Sequence, residues 1–69
     1  MIEKDHNDLT GDIFRHNKNQ KLYQVIAFCL IESTGDHAVI YRDVDSKILY
    51  VRPTSEFFDG RFQFFSKSQ

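Results

Sequence analysis

The sequence predicts an all-β domain, a small five-stranded SH3-like barrel with one short helical turn before the last strand. From Thr10 onwards, short runs rich in aromatic and β-branched residues alternate with turn residues, a texture typical of β-strands. The 69 residues are enough for one core, and seven Phe and three Tyr supply large side chains to fill it. An open sheet of two or three strands would leave its edges exposed, so the barrel is favoured.

The strands follow from the spacing of the apolar runs and of the turns between them. The predicted strands cover residues 12–16, 22 to about 32, 37–43, 48–52 and 61–65. Residues 17–20 form the first turn because Asn tolerates a left-handed backbone. Residues 33–36 and 44–47 form the next two turns. Pro53 ends the fourth strand, since it has no N–H for the ladder.

A single helical turn is predicted between the fourth and fifth strands, over residues 54–58. Thr54 or Ser55 is the expected N-terminal cap, because a hydroxyl oxygen accepts hydrogen bonds from the free N–H groups of a first turn. Gly60 then breaks the turn.

Composition limits the classes of protein that this chain fits. Nine Lys plus Arg against ten Asp plus Glu give a net charge of −1, which argues against a general polyanion binder. One cysteine excludes an internal disulfide and three scattered His exclude a zinc cluster, so neither metal nor cofactor is expected. No segment approaches the ~18 apolar residues of a membrane span, and the start is polar where a secretory leader is apolar. We therefore expect a cytoplasmic protein without a membrane partner.

The chain reads as one domain, residues 10–66, preceded by a flexible polar tail, residues 1–9, that lacks periodicity. It carries no Gly-x-Ser-x-Gly elbow, no phosphate-binding loop and no His-Glu-x-x-His motif. We therefore predict that it is not an enzyme.

The second strand is apolar on both of its alternating faces, whereas a half-buried strand alternates apolar with polar residues. One face carries Tyr23, Val25, Ala27, Cys29 and Ile31; the other carries Leu22, Ile26, Phe28 and Leu30. Cys29 is expected to be buried and inert. The second face needs a cover, either the Phe-rich C-terminal stretch or a second copy of the chain. A homo-oligomer would use Phe28, Leu30 and the C-terminal Phe cluster: Phe57, Phe58, Phe62, Phe64 and Phe65.

The candidate site lies on the third and fourth strands, and two hairpin registers are open. A two-residue turn at Asp45-Ser46 places Tyr41 opposite Tyr50, so that Tyr41, Tyr50 and Arg52 share a face. A three-residue loop groups Arg42, Tyr50 and Arg52 instead and turns Tyr41 inward. Both registers keep Tyr50 beside Arg52.

A guanidinium beside an aromatic ring suits an anionic or planar ligand, through bidentate hydrogen bonds and stacking. The candidate ligand-binding residues are Arg42, Tyr50, Arg52, His16, Lys18, Tyr41 and Arg61. In the alternative interpretation the arginine only stabilises the barrel, and its guanidinium pairs with Asp43 or Glu56. His16 is expected to hydrogen-bond a backbone carbonyl, or else to act as a donor or proton switch.

The chain also resembles a short bacterial and phage family of unknown function, the domain-of-unknown-function family numbered 1653. The resemblance rests on the order of these segments: Gly11-x-x-Phe14-x-His16-x-Lys18, Tyr23-x-Val25-x-Ala27, Glu32-x-Thr34, Val39-Ile40-Tyr41-Arg42, Val51-Arg52-Pro53, Phe57-Phe58 and Arg61-Phe62. Phe14, Asn19 and Tyr50 stand where the family usually has Tyr, Gly and Trp. The resemblance implies a shared polar site at His16, Lys18, Glu32, Tyr41, Arg42, Arg52 and Arg61.

The leading hypothesis is a binding module that receives an anionic small molecule, with nucleotides among the candidates, or an acidic peptide. A small barrel that binds nucleic acid by aromatic stacking and a basic groove is the alternative. A protein-partner or structural role is the third.

Overall fold

A computed structural model of the chain describes residues 9–67. These residues form one antiparallel sheet of five strands in the order β4-β3-β2-β1-β5, with a helical turn before the last strand. The elements are β1 Ile13–His16, β2 Leu22–Leu30, β3 His37–Asp43, β4 Leu49–Pro53, α1 Thr54–Phe57 and β5 Phe62–Ser66. The predicted all-β, SH3-like architecture is therefore confirmed.

The ends of two predicted segments differ from expectation. Pro53 occupies the N-cap position of α1 and no side chain caps the helix, so the prediction of a Thr54 or Ser55 cap is wrong. The fixed φ of Pro53, −56°, starts the turn by itself. Most of the predicted tail lies outside the described residues, but Leu9 is half-buried and packs against the core.

The structure of residues 9–67 contains no helix with the length and hydropathy of a membrane span.

The core is an aromatic cluster in which Phe57 is central. The buried residues that form it are Phe14, Tyr23, Val25, Val39, Tyr41, Phe57 and Phe62. The Phe57 ring is fully buried, stacks on Phe62 at 4.3 Å between centroids, and contacts Phe14 at 5.3 Å and Tyr41 at 5.2 Å. The short helix thus delivers one ring to the point where β1, β3 and β5 meet.

A β-bulge in β2 explains why this strand is apolar on both faces. Val25 pairs with Tyr41 and Ala27 with Ile40, so Ile26 is an extra residue and the inward phase shifts by one position. Phe28 then pairs with the buried Val39 and packs against the core. The predicted faces are therefore wrong beyond the bulge.

Three assignments change with this shift. Phe28 is half-buried on the core face, so it is not the outward contact expected for an oligomer. Ala27 and Cys29 move to the opposite face from Val25. Cys29 is half-buried rather than buried.

The hairpin between β3 and β4 adopts the first of the two registers. Tyr41 lies opposite Tyr50, and Val39 lies opposite Arg52. The connection spans residues 44–47, because Asp43 still pairs with Ile48 through a 3.0 Å backbone bond. The Asp43 carboxylate accepts hydrogen bonds from the backbone N–H groups of Asp45 and Ser46, at 2.8 and 3.0 Å. This buried carboxylate therefore organises the turn that sets the register.

Lys47 closes this turn with a positive φ of 67°, which disfavours a residue with a Cβ. We expect Lys47→Gly to raise the free energy of unfolding by about 0.5–1 kcal/mol, because Gly adopts this conformation without strain. Thermal unfolding followed by circular dichroism measures the change. Asp45→Gly in the same turn is the control, because Asp45 has no positive φ. This substitution should lower the free energy of unfolding. Equal effects of the two substitutions would contradict this explanation.

Candidate functional site

One cavity of about 180 Å³ opens at the end of the sheet where the first turn faces β4. Its lining comes from the first turn and all five strands: His16, Asn19, Tyr23, Tyr41, Tyr50, Arg52 and Phe62. We call this cavity the Arg52 pocket. Five of these residues carry aromatic rings, His16 included, so its polar groups are presented on a rigid apolar frame.

Arg52 is the cation of the pocket, and neighbouring groups hold it in place. Its Nε donates a 3.2 Å hydrogen bond to the Tyr41 hydroxyl, and its guanidinium carbon lies 5.7 Å from the centre of the Phe62 ring. The hydrogen bond to Tyr41 raises the pKa of Arg52, so the group stays charged. One guanidinium nitrogen lies 3.7 Å from a Glu56 carboxylate oxygen. The Arg52 side chain remains 26% exposed, which leaves donors facing the opening.

The tyrosines form the wall beside Arg52. Tyr41 and Tyr50 stack with their ring centres 5.8 Å apart and an angle of 27° between planes. The Tyr23 ring meets both of them edge-on, at 5.4 and 6.1 Å. Tyr41 and Tyr23 are buried, whereas Tyr50 is exposed. Tyr50 therefore offers a ring to a ligand while its neighbours keep that ring oriented.

His16 lines the pocket from the end of β1, and its ring meets that of Tyr23 edge-on at 6.5 Å. Its ring packs edge-on against Phe62, with the ring centres 4.8 Å apart, and its Nδ1 accepts a 3.1 Å hydrogen bond from the backbone N–H of Lys18. The neutral ring must then carry its proton on Nε2. Burial first, then the positive charges of Arg52, Lys18 and Arg61, lower the pKa of His16. The expected bond to a backbone carbonyl is wrong: the partner is an amide.

The structure brings four of the predicted site residues together and leaves three outside the pocket lining. Tyr41, Tyr50, Arg52 and His16 converge on the pocket. Lys18 and Arg61 are exposed and only add positive charge near His16; Arg61 is bonded to the Asp59 carboxylate at 2.9 Å.

Arg42 corrects the prediction most clearly. In the observed register its side chain lies on the face opposite to Tyr41, where it donates a 2.9 Å bond to Gln24. Of the two carboxylates expected to pair with the site arginine, Glu56 is the partner, and Asp43 pairs with Lys21 instead.

Sequence reasoning missed three residues that line the pocket: Asn19, Tyr23 and Phe62. The two aromatic residues were assigned to strands without a site, and they form its inner wall. Asn19 reaches the rim from the first turn and its side-chain amide donates to the Tyr23 hydroxyl at 3.4 Å. Phe62 reaches the pocket because β5 pairs with β1, where Phe62 lies opposite His16. The sequence contains no signal for this long-range pairing.

Within residues 9–67 no group of three or more His, Cys, Asp or Glu side chains could hold a metal ion.

The fold and the pocket together define a small SH3-like barrel that carries a cationic, aromatic pocket at one end. The chain belongs to the family described as protein of unknown function, DUF1653, which matches residues 12–63 and so includes every residue of the pocket. No curated protein and no solved structure matches the chain.

Proposed function

We propose that the protein is a cytoplasmic, non-catalytic binding module that receives an anionic group in the Arg52 pocket. The observation that carries the proposal is the placement of Arg52. Its guanidinium is oriented by Tyr41, lies against Phe62 and still presents donors beside the exposed ring of Tyr50. An oriented guanidinium next to a ring recognises carboxylates and phosphates by paired hydrogen bonds and stacking.

Local electrostatics favour an anion although the whole chain has a net charge of −1. Arg52, Lys18 and Arg61 each disfavour a proton on His16, so the charges that act on this ring of the pocket are positive. The carboxylate in ion-pair distance of Arg52 is that of Glu56, at 3.7 Å and with its side chain half exposed, and Asp59 adds a weaker attraction. That distance is longer than the ~2.8 Å of a charge-assisted hydrogen bond, so a ligand anion can replace it.

A cationic ligand is disfavoured by the same geometry. Aromatic cages bind ammonium groups over the faces of their rings. In this pocket the protein's own guanidinium already lies over Phe62. A second cation would meet Arg52 at close range and be repelled.

The size of the pocket limits the ligand. Its volume, about 180 Å³, is below the ~300–1,000 Å³ usual for sites that enclose a whole small molecule. A carboxylate or phosphate group with a short stem therefore fits, as does an acidic side chain of a peptide. A nucleotide would place only its phosphate inside.

Isothermal titration of the full chain tests the proposal. The ligands are succinate, inorganic phosphate, a nucleoside monophosphate, a Glu-rich peptide and the same peptide with Lys in place of Glu. We expect saturable binding of at least one anion and none of the Lys peptide. Absence of saturable binding by every anion would refute the proposal. A single-stranded oligonucleotide that binds more tightly, with affinity falling steeply as salt rises, would favour the nucleic-acid alternative.

A second prediction concerns His16, whose pKa is lowered in the free protein from the usual 6.5. A bound anion favours the charged imidazolium, so binding should raise the pKa of His16 and take up a proton. Affinity should therefore increase as pH falls through the pKa of His16 in the complex, and it should level off below the lowered pKa of the free protein. Proton NMR titration of the histidine ring with and without sulfate measures the shift, because sulfate does not titrate in this range.

His37 supplies the internal control for this titration. It is exposed at the start of β3 and does not line the pocket. Its ring resonances should not move when sulfate is added at constant pH. Sulfate-induced changes at both residues would indicate a bulk salt effect, and no rise in the pKa of His16 would contradict the prediction.

A further inference from the structure

Strand β4 is an unpaired edge in the sheet that residues 9–67 form. It is hydrogen-bonded to β3 on one side and ends the strand order on the other. Edge strands of natural proteins are usually covered, bulged or protected by charge, because their free backbone groups recruit another strand. β4 is short and ends in a charged residue and a proline, but Leu49, Tyr50 and Val51 are uncharged, exposed and in regular register with β3.

The antiparallel ladder shows which backbone groups are free. Asp43 donates to the carbonyl of Ile48, and paired residues exchange bonds at every second position from there. Tyr50 and Arg52 therefore bond to β3 through Tyr41 and Val39. The N–H and C=O groups of the alternate residues, Leu49 and Val51, point away from the sheet.

The side chains along this edge are also exposed. Leu49 is 58% exposed and Val51 is 61% exposed, both on the face opposite to the Arg52 pocket. Tyr50 is exposed on the pocket face. An edge with free backbone groups and apolar side chains on one face is a surface for strand addition.

We infer that β4 pairs with β4 of a second copy of the chain, antiparallel and across a two-fold axis at Tyr50. In this register Leu49 lies opposite Val51 of the second copy, and Val51 opposite Leu49. All the N–H and C=O groups of these two residues then find partners without using Pro53, which has no N–H. The sheets of the two copies join into one.

A second copy fits this edge on both faces. The apolar face gains two Leu49–Val51 cross-strand contacts, which remove exposed aliphatic surface from water. On the other face Tyr50 meets Tyr50 of the second copy in a non-hydrogen-bonded pair, where side chains approach most closely. An acidic peptide on the same edge would complement the charge of Arg52. Its acidic side chains would offer no apolar contact to Leu49 and Val51, whereas a second copy offers both.

The pairing also places the two Arg52 pockets on one face of the joined sheet. Tyr50 of the second copy is then diagonal to Arg52, a separation that an aromatic side chain bridges. The second copy thus adds a ring to the rim of each pocket. Repulsion between the two Arg52 side chains is moderated by Glu56, which accompanies each of them.

Size-exclusion chromatography with light scattering tests the pairing on the full chain. We expect the wild type to reach twice its 8.2 kDa mass as concentration rises, and Val51→Glu to stay at the mass of one chain. Leu30→Glu is the matched control, because Leu30 is also 61% exposed and lies away from the β4 edge. It should still dimerise. A monomeric wild type at all concentrations, or a dimer lost in Leu30→Glu and kept in Val51→Glu, would overturn the inference.

A cross-link keeps the inference testable if Val51→Glu fails to fold. Tyr50→Cys in a Cys29→Ser background should oxidise to a disulfide-linked dimer, since the two residues face each other directly across the axis. Val51→Cys in the same background lies opposite Leu49 and should cross-link much less. Equal cross-linking of the two variants would contradict the register, and no cross-linking at Tyr50→Cys would overturn the pairing.

Discussion

Phe57→Ala is expected to unfold most of the protein at 37 °C. Phe57 is fully buried, stacks on Phe62 and contacts Phe14 and Tyr41, so truncation opens a cavity among rings that have no spare volume to fill it. Phe-to-Ala changes in cores cost about 3–5 kcal/mol. Small domains have about 3–5 kcal/mol of stability from a single core, so the loss is comparable to the whole. Urea unfolding followed by circular dichroism measures it.

Phe65 supplies the control for this substitution. It is on β5, has the same side chain and is 51% exposed. Phe65→Ala should change the free energy of unfolding by well under the loss at Phe57, on the order of 1 kcal/mol or less. Phe57→Leu, which keeps most of the apolar volume, should fall between the two. Similar losses for Phe57→Ala and Phe65→Ala would show that α1 does not anchor the core.

The succession of strands along the chain was predictable because the turn residues and the aromatic runs agree with each other. The hairpin of β3 and β4 was predictable down to two alternatives, since parity fixes which side chains share a face. The face on which Phe28 lies was not predictable. An inserted residue at Ile26 reverses the inward phase, and nothing in the apolar sequence around it distinguishes a bulge from regular strand.

The site was predictable where it depends on local pairing. Tyr41, Tyr50 and Arg52 meet through one hairpin, and the sequence places them together in one of its two registers. Phe62 reaches the pocket only through the long-range pairing of β1 with β5. Arg42 was included in the candidate site because of its charge and its proximity in sequence to Tyr41. Side chains alternate along a strand, so Arg42 lies on the face opposite to Tyr41 and outside the pocket.

Arg52→Gln is expected to weaken anion binding by about 10- to 100-fold, the loss of one hydrogen-bonded charged contact worth about 1.5–3 kcal/mol. The substitution removes the cation, and the Gln amide nitrogen stands at the position of the Arg52 Nε, so the hydrogen bond to Tyr41 and the frame around it are kept. Titration with the anion that wild type binds most tightly measures the change. Arg52→Lys should bind with intermediate affinity, because it restores the charge and lacks the planar fork that pairs with carboxylates.

Two further substitutions separate recognition in the pocket from a general effect of charge. Arg42→Gln removes the same charge from the opposite face and should leave affinity nearly unchanged. Glu56→Gln should strengthen binding, because Glu56 lies 3.7 Å from the Arg52 guanidinium and competes with the ligand for it. If Arg42→Gln and Arg52→Gln weaken binding equally, attraction to net charge explains the affinity. If Glu56→Gln weakens binding as well, the carboxylate supports the site instead of competing for it, and an anion does not take its place on Arg52.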